Sequence, residues 1–315
     1  MTAPTRTQSR FATMGADAIR RELSPISHSA AGADRFDLHS QTGQFLDVLL
    51  DVFGLDPEPY ANVVDALKRA DRIEAWAAAW KTSATLDEVA AARMIGNATN
   101  YDDAAGTVSA SVRATNDTER AAGGRIWGRA HLAAAAGALA ALRGHAAHTF
   151  TELQRVYADS VAAYLDAAEK LTKATGRART LDDATRAGCA DLWLTLEADA
   201  ARLDLVAGFV RHATPWGVLP GDDVTNAQRG PGYGARRWYT NPQKAETLNQ
   251  YAHVYRGMPP WQFRAHVMRQ AGAALRSIED ARRTPEPQPV KLPRGSSIAK
   301  RAAVGALTAA DVDNL

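Results

Sequence analysis

Large apolar residues are scarce in this sequence. Of its 315 residues 46% count as hydrophobic, yet 65 of them are alanine, and Leu, Ile, Val and Phe together number only 58. So thin a core supply signals disorder only when joined to a large net charge, and 37 basic against 35 acidic residues leave +2. The two numbers together predict a folded, Ala-rich helical body with extended or disordered ends. Cysteine is nearly absent: Cys189 stands alone, which excludes an internal disulfide and any need for an oxidising compartment. Long hydrophobic runs are missing too. The longest uncharged helical stretch, HLAAAAGALAAL at 131–142, is too short and too rich in Ala to span a bilayer. The first twenty residues hold Arg6 and Arg10 but no apolar stretch of signal-peptide length. A soluble protein made in the cytoplasm is the expectation. Lysine is rare, 7 against 30 Arg, which points to a GC-rich coding genome and not to an activity.

What is present reads as helix. Residues 1–40 mix Ser, Thr, Ala, Gly and Pro without sustained period, which predicts an extended or disordered arm. From Gln41 onward Phe45, Val48, Leu49 and Val52 recur at helical spacing until Gly54 stops them. A second helix is predicted over Ala61–Trp80, with Val64, Leu67, Ile73, Trp76 and Trp80 inward, and a capping box at Thr85–Glu88 opens a third. Val108, Ala110 and Val112 alternate as a short strand or an extended loop would, with no second strand to pair with. Asp117–Leu142 reads as a long helix weakened by Gly123, Gly124 and Gly128.

The clearest signal is a pair of long helices. In the first, Phe150, Tyr157, Tyr164 and Leu171 repeat every seven residues with Val161 and Ala168 between them, after a capping box at Thr149–Glu152. The second follows Thr180 and carries Cys189, Leu192, Leu196, Leu203, Val206 and Val210, with Asp199 out of pattern as a packing gap or a register-fixing charge. The short connection Gly176–Thr180 makes the two antiparallel. Together they predict a mainly α protein: an antiparallel helical bundle over 41–213, a Gly/Pro-rich loop over 214–240 and a helical pair over 241–283 packed on the bundle. A Pro-containing linker and basic tail over 284–315 complete it, so that extended arms stand at both ends. Asn241-Pro242 caps the first helix of the pair, and the second runs from Pro259 or Pro260 to Arg283 with Phe263, Val267, Ala271, Ala274 and Ile278 inward.

Enzymatic motifs are missing. His145 and His148 are the only close imidazole pair, and they lack a third ligand and any HExxH. A Mg-diphosphate site needs a further acid three residues after an acidic pair. After Asp102-Asp103, Asp182-Asp183 and Asp222-Asp223 those positions hold Gly106, Arg186 and Asn226. Cys189 lies in an apolar seam, where packing explains it better than nucleophilic chemistry. There is no GxSxG elbow and no GxxxxGK[ST] loop. No catalytic residue, cofactor or metal is therefore expected.

Interaction residues are easier to nominate. Arg229, Arg236 and Arg237 with Tyr233, Trp238 and Tyr239 combine guanidinium groups and rings, a set suited to anchoring a loop, to a protein interface, or to stacking on single-stranded nucleic acid. Lys291, Arg294, Lys300 and Arg301 make the tail basic. The sequence points to a non-enzymatic structural or assembly protein that joins other subunits, its own or foreign, through helix packing and terminal arms. A bacteriophage virion component is one form of it. A nucleic-acid binder using 229–239 and the tail is the alternative, with a metal-dependent helical enzyme using Asp102, Asp103, Asp222 and Asp223 third. No membrane partner is expected.

Overall fold

A computed structural model describes residues 35–83, 102, 104–106, 117–220, 233–292, 296–303 and 305–315. The chain is mainly helical, and among the described residues the only β pairing is an isolated antiparallel bridge between Tyr239 and Ala273. Two compact units meet in sequence at His145, inside the stretch predicted as one bundle. The capping box at Thr85 and the alternation at Val108–Val112 lie outside the described residues.

In the first unit, α1 (Arg35–Asp47) begins within the predicted arm, because Leu38, Thr42, Phe45 and Leu46 supply a buried helical stripe. It widens into a π turn at Val48–Val52, where three consecutive residues, Val48, Leu49 and Leu50, are buried. Gly54, at φ +70°, closes it, with the Leu55 N–H on the Leu49 carbonyl at 3.1 Å. After a 3-10 turn at Glu58–Tyr60 come α2 (Ala61–Ser83) and α3 (Asp117–Gly144), and α3 packs against both α1 and α2. The three early glycines do not interrupt α3. A cost of about 1 kcal/mol each is small beside the burial gained on two helices.

The buried face of α2 differs from the predicted one. Val63 and Ala70 are fully buried, whereas Val64, Leu67 and Ile73 are half-buried and Trp76 is 57% exposed. The reason lies on α3, whose buried positions are His131, Ala135, Ala138, Leu139 and Leu142. Two alanines in that face, Ala135 and Ala138, favour small contact residues on α2, and a tryptophan is too large for so close an approach. The side chain of Trp80 is outside the described set.

The second unit starts with α4 (Ala146–Ala174), one turn earlier than its predicted cap. Thr149 is thus a buried helical residue, and Glu152 pairs with Arg155 at 3.0 Å. The predicted heptad positions Phe150, Tyr157, Val161, Tyr164, Ala168 and Leu171 are all buried. The predicted second helix is split in two. α5 (Leu181–Arg186) is closed at its start by a capping box between Thr180 and Asp183, and α6 (Ala190–Ala213) restarts after Gly188 with Cys189 at its cap. Leu196, Leu203, Val206 and Val210 are buried on α6 as expected, and Trp193 and Phe209 join them. Asp199 makes no ion pair among the described residues, and burial pushes its carboxyl above the usual range.

Six shorter α-helices follow among the described residues: α7 (Tyr233–Trp238), α8 (Pro242–Gln250), α9 (Pro260–Ala271), α10 (Ile278–Arg283), α11 (Ser297–Ala303) and α12 (Ala309–Asp313). Asn241 caps α8 as predicted, accepting the Lys244 N–H at 3.0 Å. The helix predicted from Pro260 to Arg283 breaks at Gly272, whose φ of +67° ends α9; a Cβ there would lie 2.2 Å from the Thr240 hydroxyl. α4 packs on α6 and α9. Tyr164 donates its hydroxyl to the Trp261 carbonyl at 2.9 Å, and the Trp261 indole donates to the Ala178 carbonyl at 2.8 Å. Both aromatic residues thereby combine apolar burial with satisfied polar groups.

The C-terminal segment does not protrude. Gln243 exchanges two hydrogen bonds with the backbone of Gln288, at 2.8 and 2.9 Å, and Gln250 accepts the Val290 N–H. Val312 on α12 is fully buried in a cluster with Ala245, Leu248 and Val267. Extended backbone with exposed amides is held here by glutamine side chains that substitute for a neighbouring strand.

Candidate functional site

The Arg/aromatic segment is seated on the second unit by its own backbone. The Ala274 N–H reaches the Trp238 carbonyl, the Arg276 N–H the Arg237 carbonyl, and the Thr240 N–H the Gly272 carbonyl, all at 2.8–2.9 Å. These bonds lay 237–240 along 272–276. Arg237 is buried at 4% exposure with its guanidinium carbon 4.9 Å from the Phe150 ring centre, and the Trp238 ring lies 5.2 Å from that of Tyr157. Arg236 donates to the Thr284 carbonyl at 3.3 Å. The anchoring use of these side chains is therefore visible directly. Arg229 lies outside the described residues, and of Tyr233 only the helical backbone is described.

The basic tail is only partly available. Lys291 and Lys300 are exposed. Arg301 is spent on Asp311, which also caps α12 through the Thr308 N–H at 3.0 Å; these contacts hold the Asp311 carboxyl below its ordinary range. Arg294 is not among the described residues. Next to the tail, Asp313 accepts from the Tyr255 hydroxyl at 2.7 Å and faces His266 Nε2 at 2.8 Å. Burial, then the Asp313 hydrogen bond, push the Tyr255 phenol well up.

Among the described residues no three His, Cys, Asp or Glu are placed to hold a metal ion. His145 sits in the turn after α3, with Nε2 3.0 Å from the Asn62 amide oxygen and its ring against Tyr60. Asp183 caps α5, where the Arg179 N–H and then the Thr180 hydroxyl hold its carboxyl low. Asp102 is exposed, and Asp103, Asp222 and Asp223 lie outside the described residues.

Where the Arg/aromatic segment meets the helices it closes one wall of a cavity of about 320 Å³. Tyr157 of α4, Asp204 of α6, Trp238 of α7, Tyr239, Glu246 of α8 and Arg264 of α9 line it. Arg264 donates to Asp204 at 2.8 Å with its guanidinium carbon 5.4 Å from the Tyr164 ring centre. Burial pushes the Tyr164 phenol up to about 12, and those of Tyr157 and Tyr239 upward as well. Sequence spacing could not find this group, since its charged members come from three helices far apart in the chain. Tyr157 was visible there only as a seam residue.

Among known proteins, no family model, curated protein or solved structure matches the chain. No helix among the described residues is long and apolar enough to cross a membrane.

Proposed function

We propose that the chain is a non-enzymatic structural or assembly protein that joins other subunits through exposed helix faces and its terminal segments. In this reading α4 and α6, which pack on each other, are antiparallel partners in a bundle. The observation that carries it is the surface of the first unit. Trp76 on α2 and Ile126 and Leu132 on α3 are 57%, 67% and 40% exposed. Large apolar side chains left to water on two packed helices favour a protein partner, and tryptophan is the residue most enriched where such contacts are strongest. The C-terminal segment supports the same reading, because it already shows how this chain holds an extended peptide, with Gln243 and Gln250 on its backbone. A virion component of a bacteriophage is the specific form of the proposal.

Light scattering and sedimentation of the full chain over a concentration series test it. The expected result is reversible assembly that a Trp76→Ala, Ile126→Ser variant loses while keeping its helical content. A wild-type chain that stays monomeric and joins no complex, or a variant that assembles unchanged, would overturn it.

A further inference from the structure

The geometry points to a second kind of recognition: the cavity lined by Tyr157, Trp238, Tyr239 and Glu246 takes a guanidinium or ammonium group carried on an apolar stem, the chemistry of an arginine or lysine side chain. Three aromatic rings stand in its wall, and the negative face of such a ring attracts a cation. The rim charges decide the sign. Arg264 is occupied by Asp204 and by the Tyr164 ring, so that pair is neutral as a unit, whereas Glu246 forms no ion pair among the described residues. One carboxylate without an ion pair among the described residues therefore shares the lining with the aromatic residues. An anion would meet Glu246, and a purely apolar ligand would strip water from it without return. A bare metal ion would find no third ligand. An organic cation matches both halves, its charge to Glu246 and its stem to Met268 and Leu203.

The wall is formed before any ligand arrives. Trp238 is fixed by Tyr157 on one side and by the Ala274 N–H on its carbonyl at 2.9 Å, while Tyr239 is held in its bridge to Ala273. Little side-chain freedom is left to lose on binding. The volume, about 320 Å³, is at the small end of ligand pockets and suits one side chain.

The test is calorimetric titration of the full chain with N-acetyl-arginine methylamide, with agmatine, and with N-acetyl-aspartate methylamide as the anionic control. Saturable binding of a cationic probe is expected, weakened about ten-fold by Glu246→Gln, a change worth one charge-assisted contact. Trp238→Phe, which keeps a ring in the wall, is expected to weaken it less, since tryptophan is the better cation partner. Binding of both cationic probes assigns the site to a residue within a polypeptide; binding of agmatine alone assigns it to a free amine. Failure of both at millimolar concentration, equal binding of the aspartate probe, or full affinity in Glu246→Gln would overturn the inference. The assembly reading, which rests on the first unit, is read out separately by sedimentation.

Discussion

Two helix surfaces, the contact of α2 with α3 in the first unit and the α4 seam in the second, bury residues of different size. Between α2 and α3 of the first unit the deeply buried positions include Ala70, Ala135 and Ala138, and Trp76, Ile126 and Leu132 are left in water. Along α4 of the second unit Phe150, Tyr157, Tyr164 and Leu171 are all inside, and Tyr164 hands its hydroxyl to the Trp261 carbonyl. A chain with few large apolar residues can thus let alanines into one helix contact while some large side chains stay in water, or it can spend the large ones on a seam. The comparison predicts opposite costs for similar truncations. Leu153→Ala, in the fully buried seam, should destabilise by about 2–5 kcal/mol. Trp76→Ala should stay within about 0.5 kcal/mol, as surface changes do. Urea midpoints of the two variants, measured on the same chain, decide it: equal losses would mean that Trp76 is a core residue after all.

The seam of the second unit depends on the sharp end of α9, so the next largest effect is placed there. Gly272→Ala adds a Cβ at φ +67° and within 2.2 Å of the Thr240 hydroxyl, and should cost about 2 kcal/mol or more. Adding Thr240→Ala removes the clash and leaves the backbone strain, so the double variant should recover part of the loss. No recovery would show that the strain alone sets the cost. A smaller loss, about 1 kcal/mol, is expected for Ser277→Ala, because the Ser277 hydroxyl accepts the Asp280 N–H at 3.0 Å and caps α10.

The contrast between the units also explains what the sequence could reveal. The heptad in α4 was legible because large residues at period seven have no other use in a helix of that length, and all six predicted positions are buried. The cap at Asn241 was legible because its hydrogen bond is local. The face of α2 was not, since hydrophobicity ranks Trp76 above Ala70, and only the shape of α3 reverses that order. Gly272 was passed over for the same reason: a helical pattern tolerates one glycine, and the clash that makes it obligatory comes from Thr240, which pairs across a loop. The cavity was least legible of all. Its Asp204, Glu246 and Arg264 each look like an ordinary charge on a helix until the helices are packed.

The smallest expected effect separates two aspartates of the second unit by sign. Asp183 has its carboxyl held low by the Arg179 N–H and the Thr180 hydroxyl. Its contribution is therefore fully present above the ordinary carboxylate value, about 3.9, and is lost as pH falls through the lowered folded value. Asp199 is the reverse. Burial raises its value, so the charged form opposes folding at neutral pH, and protonation on acidification relieves that opposition. Asp183→Asn should lose stability at pH 6 and converge with the wild type in acid. Asp199→Asn should be at least as stable as the wild type at pH 6, with any advantage shrinking as pH falls. Urea midpoints from pH 6 to pH 2 distinguish the two, and a loss at pH 6 in Asp199→Asn would show that this carboxylate holds the α6 seam in register instead of interrupting it.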